Sequence, residues 1–217
     1  MVKNILGIVV SYVFVALIIL IAKLFTRWGQ EASRKFTHIM LCNWWFIAMY
    51  FFSNAFCACV VPLSFVAINY VSYKKKLIKV IERDDNKKEG LGTVYYAISL
   101  FIVAIFSFGF MNRPELGICG ILCMGYGDGL AAIVGKAIKS PSFQIGDTKK
   151  SLAGCLTMFI VCFIIIGAYL YFFNINFWYV KAAVYAIIAM VLEAVSIKGT
   201  DNLTVPVIMT LLVSMIA

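Results

Sequence analysis

Long apolar runs recur through this chain, at about Ile5 to Ala22, Ile39 to Phe52, Ala55 to Ser72, Thr93 to Met111, Leu116 to Val134, Leu152 to Phe173, Phe177 to Ile197 and Leu203 to Ala217. An α-helix needs about 20 apolar residues to cross the roughly 30 Å hydrocarbon core of a bilayer. The pattern therefore predicts an all-α, polytopic integral membrane protein with about eight transmembrane helices. The second and last runs are short for a full crossing, so tilt or local thinning would have to accommodate them. With 217 residues, 63% hydrophobic and 13% charged, residues 1–217 read as a single transmembrane domain. Its chemistry falls to helix ends and loops.

The charge distribution tests this reading, because basic residues gather in loops on the cytoplasmic side of a membrane. Alternating the eight spans sends Lys23, Arg27, Arg34, Lys35, Lys74, Lys75, Lys76, Lys79, Arg83, Lys87, Lys88, Lys136, Lys139, Lys149, Lys150 and Lys198 to one side, sixteen of the nineteen basic residues. Only Lys3, Arg113 and Lys181 fall on the other. Both termini are thus expected outside. The net charge of +9 is explained by topology, so no nucleic-acid partner is inferred. Four basic residues follow the first run and no small-residue cleavage pattern follows Ala22, which makes that run a span and not a signal peptide. The seven cysteines lie in apolar stretches without CxxC spacing and read as small core residues.

Against this apolar background the polar residues are informative, since an ionisable group inside a span is costly unless paired or hydrated. Asp128 and Glu193 are such groups, each toward the end of its run that meets a basic loop. Asp201 and Asn202 open the last run on that side, and Arg34, Lys35 and His38 close the first loop there. Gly125, Gly127, Gly129 and Gly135 surround Asp128, and such glycines serve either tight helix packing or close approach to a ligand. A Walker A loop is excluded, because five residues separate Gly129 from Gly135-Lys136 and Ala137 stands where a hydroxyl would touch magnesium. Lys149, Lys150 and Ser151 precede a span with Gly154 in its first turn. That arrangement is either ordinary basic flanking or an anion site at a helix N-terminus.

Glu193 lies eight residues before Asp201, and a break near Gly199 would bring both carboxylates to one rim. Oxygen ligands of this kind suit a divalent cation whose shell is completed by phosphates. The alternative for Glu193 is a structural pair with a cation such as Arg34 or Lys150. His38, the one histidine, reads equally as an interfacial hydrogen-bonding residue or a proton-transfer group.

Five segments in order give the chain a family resemblance: EASRKFTH (Glu31 to His38), GLGTVYYAISL (Gly90 to Leu100), GDGLAAIVGK (Gly127 to Lys136), KKSLAG (Lys149 to Gly154) and DNLTVP (Asp201 to Pro206), with Glu193 upstream of the last. Over about residues 31 to 206 the sequence resembles the CTP-dependent lipid-alcohol kinases, which include dolichol, phytol and farnesol kinases and the yeast-type diacylglycerol kinase. Phosphatidate cytidylyltransferases are relatives of that family. The resemblance implies a nucleotide site on the cytosolic face, with Asp128, Ala131 and Gly135 matching one part of the CTP-binding pattern and Lys149, Lys150, Ser151 and Gly154 the other. It departs at Lys139, where that pattern has glycine, in a longer insertion before Lys149, and at Ala132, where phytol-kinase-like members often carry a second acid.

The implied reaction transfers the γ-phosphate of CTP, or of another nucleoside triphosphate, to the hydroxyl of a membrane lipid alcohol, whether a prenol, a polyprenol or diacylglycerol. Asp128 and Asp201 would hold Mg2+, Lys149 and Lys150 would neutralise phosphate charge, and Glu193 would orient or deprotonate the hydroxyl. Gly127, Gly129 and Lys136 would complete the nucleotide loop, Arg34 and Lys35 would clamp a phosphate or head group, and His38, Asn202 and Thr204 would stand close by. Two alternatives accompany this reading. A phosphatidate cytidylyltransferase would use the same residues, although its strict signature is absent, and a small membrane transporter would use the carboxylates to line a path. Neither the lipid nor the oligomeric state is legible in the sequence.

Overall fold

The computed structural model describes residues 1–75, 91–145 and 148–216. The basic-loop residues Lys76, Lys79, Arg83, Lys87 and Lys88, the mixed run 82–89, Gly90 and Ala217 lie outside them.

Helix α1 (Val2–Phe25) is apolar on nearly every face and ends in a short 3-10 turn, Thr26–Trp28. Gly29 then reverses the chain at φ +106°, a conformation that only a residue without Cβ adopts freely. The returning segment is one helix in two pieces, α2 (Gln30–Leu41) and α3 (Trp44–Phe51). Three hydrogen bonds fix it antiparallel to α1 over the whole length: Ser33 Oγ to Ala22 O at 2.7 Å, Trp44 Nε1 to Ser11 Oγ at 2.8 Å, and Asn4 Nδ2 to Ser53 Oγ at 3.1 Å. Asn43 sits at the break and donates back to Met40 O at 3.1 Å.

This corrects the expectation for the second apolar run. The helical segment begins at Gln30, not Ile39, so Arg34, Lys35 and His38 are helix residues and not loop residues. Burial of Ser33, Lys35, Thr37 and His38 on the inner face explains the difference, because each has a partner inside the bundle and the charge no longer excludes the segment.

The remaining helices are α4 (Ala55–Lys75), α5 (Gly92–Ala104), α6 (Gly117–Leu122), α7 (Gly129–Ala137), α8 (Leu152–Phe172), α9 (Trp178–Val195) and α10 (Asp201–Ser214). A π-helical turn extends α5 through Ile105–Phe110, and another, Cys123–Asp128, joins α6 to α7 in one rod that starts at Pro114. Among the described residues six helical segments are long and apolar enough to cross a membrane, while α10 is shorter and α2–α3 is broken. The chain is thus an all-α, multi-pass membrane protein. Exposed Ile5, Leu6, Val9, Val13, Leu17 and Leu20 on α1 form the kind of face that lipid covers.

The rod Pro114–Ala137 is the most buried of the six. Its glycines let neighbours approach: a Cβ on Gly117 would lie within 2.1 Å of the Trp45 ring, and one on Gly120 within 2.1 Å of Pro206 O. Leu116, Ile121 and Met124 of the rod are fully buried, as are Trp45, Met158, Ile166 and Met209 on other helices.

One element was not expected. Between α7 and α8 the chain forms an antiparallel hairpin, β1 (Ser142–Ile145) with β2 (Thr148–Ser151), in which Ser142 faces Ser151 and Ile145 faces Thr148. The insertion before Lys149 is folded into this hairpin.

Candidate active site

Three elements bring acidic side chains to one place. Asp128 is the last residue of the π-helical turn, where the wider winding re-aims side chains and functional residues are often found. Glu193 lies in the last turn of α9. Asp201 opens α10, after Gly199 at φ +81° has turned the chain. Carboxylate oxygens of the three all lie within 4.8 Å of one another. Like charges this close need cations beside them.

Those cations come from the polar half of α2 and from the hairpin. Lys35 Nζ donates to Asp128 Oδ2 at 2.8 Å, and His38 Nε2 stands 3.3 Å from both that oxygen and Met124 O. Lys150 pairs with Glu193, the alternative that the sequence had left open for this acid. Burial opposes the charge on Lys150, yet Glu193 beside it, with Asp201 and Asp128 behind, holds its pKa above the ordinary lysine value. At the mouth, Glu31 accepts two hydrogen bonds from Arg34, at 2.9 and 2.7 Å, and Lys136 lies 3.5 Å away.

These groups line a cleft of about 540 Å³. Seven cations (Arg34, Lys35, Lys136, Lys139, Lys149, Lys150 and Lys198) face four carboxylates (Glu31, Asp128, Glu193 and Asp201) across it. The surplus suits a polyanion held with a divalent cation better than either alone. The N-terminus of α8 opens into the same space, with Ser151 as its cap accepting from Gly154 N at 3.2 Å. Its first-turn amides are already taken, Leu152 N by Pro141 O at 2.9 Å, Ala153 N by Ser140 Oγ at 3.1 Å and Gly154 N by Ser151 Oγ, so what this end offers an anion is the positive end of the helix dipole beside Lys149 and Lys150. Helix α7 approaches this end closely because neither Gly135 nor Gly154 has a side chain. A Cβ on Gly135 would lie 2.6 Å from Ser151 Oγ, and one on Gly154 would lie 3.0 Å from Ala131 O.

Of the residues singled out in the sequence, the cleft gathers Asp128, Glu193, Asp201, Lys149, Lys150, Arg34, Lys35, Lys136, Ala131, Gly135, Ser151, Gly154 and Asn202. It does not gather Gly127, Gly129, His38 or Thr204. Gly127 packs on α8, where a Cβ would meet Met158 Sδ at 2.5 Å, and Gly129 packs on α2, where it would meet Ile39 Cγ1 at 2.3 Å. Thr204 donates to Thr200 O within its own helix at 3.1 Å. His38 stands behind Asp128, away from the cleft. The sequence reading missed Glu31, which organises Arg34 and Lys136, and the lining residues Gly92, Thr93, Lys139 and Lys198. Glu31 was detectable as the acid three residues before Arg34, the spacing of a helical ion pair.

Comparison with known proteins gives a consistent set of relatives. The chain is 31% identical over 205 residues to a phytol kinase of the cyanobacterium Synechocystis, covering 89% of this chain and 84% of that one. It is 29% identical over 197 residues to phytol kinase 1, chloroplastic, of Arabidopsis thaliana, and 28% over 198 residues to a probable phytol kinase 1, chloroplastic, of rice. Each plant comparison covers 82% of this chain, which spans 64% and 62% of the respective plant proteins. No protein-family model matches the sequence. No solved structure matches it either.

Proposed function

The chain belongs to the phytol kinase family of lipid-alcohol kinases, and on that footing we propose that it is an integral-membrane kinase transferring the γ-phosphate of CTP to the hydroxyl of a prenol-type alcohol. The observation that carries this reading is the cluster of Asp128, Glu193 and Asp201 inside a cleft with surplus positive charge. A transporter path gives no reason for a phosphate-sized basic cleft at one rim.

The acidic cluster fits Mg2+, a hard cation that takes oxygen ligands. Carboxylate oxygens already within 4.8 Å of one another could share one such ion. Asp128 and Asp201 would hold the ion, which would supply neutralisation of phosphate charge. Lys149 and Lys150 bind the triphosphate, and Arg34 and Lys136 close the mouth over it.

The alcohol oxygen forms a bond to the γ-phosphorus as the bond from that phosphorus to the β-bridging oxygen breaks. Charge on the departing CDP is taken up by Lys149 and Lys150. As Lys150 turns toward phosphate it leaves Glu193, and this carboxylate then accepts the hydroxyl proton once the new P–O bond has formed. Positioning and charge compensation are most of what phosphoryl transfer asks of a protein. The side of the membrane that carries sixteen basic residues is the cytosolic one in this reading.

The test is incubation of purified protein with γ-labelled CTP, Mg2+ and a panel of prenols, diacylglycerol and phosphatidate, with Asp128→Asn alongside. Label in a prenol, lost in the variant, is the expected result. Label released as pyrophosphate with phosphatidate would move the protein to the cytidylyltransferases, and no consumption of nucleotide would sink both.

A further inference from the structure

Beside the polar cleft lies a second cavity, of about 100 Å³, with walls of different character. Val15 and Ile19 of α1, Leu41 of α2, Phe65 of α4, and Tyr96 and Leu100 of α5 line it. The two cavities share Arg34, Gly92, Thr93 and Asn202. A polyanion site and an apolar pocket therefore meet along one short seam.

Asn202 is 7% exposed, and its Nδ2 donates to Gly92 O at 3.3 Å. That carbonyl can only accept, which fixes the orientation of the amide and leaves Oδ1 facing the other way. Oδ1 is buried with no hydrogen-bond partner among the described residues. A buried acceptor without a donor is costly to maintain in a folded protein and calls for a ligand that supplies one. Asn202 lines both cavities, and the residue before it in the chain is Asp201 of the acidic cluster.

Resting on the kinase reading above, we infer that the apolar cavity receives the first carbons of the alcohol and that Asn202 Oδ1 accepts a hydrogen bond from its hydroxyl at the seam. The bond keeps the proton on oxygen while the lone pair faces the γ-phosphate. In the loose transition state of phosphoryl transfer the proton leaves late, so an amide oxygen, which is no base, suits this station and Glu193 takes the proton afterwards. The cavity holds only the head of a long chain. Ile19, Phe65 and Asn69 at its edge are partly exposed between α1 and α4, which marks the side where the tail leaves toward lipid.

The experiment uses purified full-length chain, without nucleotide, and a long-chain prenol carrying a diazirine close to its hydroxyl. Photolabel is expected on peptides from the α1, α4 and α5 walls, and Ala97→Trp, which fills the cavity, should reduce it at least tenfold. Unlabelled prenol should displace the probe at least tenfold better than its methyl ether, which has no proton to donate. Asn202→Leu should lose that preference while still being labelled. Labelling outside these walls, or a wild type that treats alcohol and ether alike, overturns the inference; the latter comparison needs no variant to fold. Correct labelling and alcohol preference in a protein that phosphorylates no alcohol would instead overturn the kinase reading and leave the binding site standing.

Discussion

Lys35 and Asp128, separated by 93 positions in the chain, form a 2.8 Å ion pair at the base of the cleft. Their side chains are 7% and 13% exposed, so neither charge can be left alone cheaply. Removing one partner of such a pair typically costs about 3 kcal/mol, whereas removing both often costs little. Asp128→Asn and Lys35→Met are each expected to lower the unfolding temperature in detergent. The double variant should recover at least half of the loss yet stay inactive, and a double variant as unstable as the sum of the singles would argue against the pairing.

The two hairpin lysines should differ. Lys150 is partly buried against Glu193 while Lys149 is exposed. Lys150→Ala is expected to raise the KM for nucleotide at least tenfold and also to destabilise the fold by stranding Glu193. Lys149→Ala should raise the same KM by a smaller factor and leave the unfolding temperature unchanged. Equal effects of the two on stability would contradict this assignment.

Two glycines flanking the same helix separate packing from binding. In Gly129→Ala the new methyl meets Ile39 of α2, and the expected result is a less stable protein with an unaltered KM for nucleotide. In Gly135→Ala it meets Ser151 Oγ, so the α8 cap must move. The loss of an N-cap is worth about 1 kcal/mol, and here nucleotide binding should weaken with it. Nucleotide titrations of both variants, with thermal unfolding, check the contrast.

Chelation gives an independent reading of the acidic cluster. Activity should disappear in EDTA and return on addition of Mg2+, with Mn2+ as a partial substitute. Asp201→Asn should need at least tenfold more Mg2+ for half-maximal rate. Full activity in excess chelator would remove the metal from the proposal.

The sidedness follows from the same layout. In sealed vesicles an impermeant maleimide should label Lys139→Cys from one face and Asn174→Cys from the opposite face. Labelling of both from one face would invalidate the alternation of spans read from the basic residues.

The apolar runs made most of the helices legible, since a span announces itself by length and composition. Hydropathy starts the second segment too late because Glu31, Arg34, Lys35 and His38 count against burial in any such tally; Lys35 and His38 are made acceptable by Asp128 of the central rod, while Arg34 pairs with Glu31 one turn back in its own helix. The hairpin has only a weak signature in sequence, Gly146-Asp147 between two short runs of strand length. Asp128, Glu193 and Asp201 stood out as acids where acids are expensive. Their convergence depends on the turn at Gly199 and the π-helical turn before Asp128, and no spacing rule predicts either the Lys35–Asp128 contact or the seam at Gly92 and Asn202.

The pairing of α2 with a residue from the central rod also bears on how the protein is made. When Lys35 emerges from the ribosome its countercharge has not been synthesised, because Asp128 follows only after two further hydrophobic segments. Until then the bilayer has nothing to offer it but desolvation. The amino-terminal half of α2 is therefore expected to wait at the membrane surface during translation and to slide in beside α1 only when the rod arrives, before α9 and α10 complete the reactive pocket with Glu193 and Asp201.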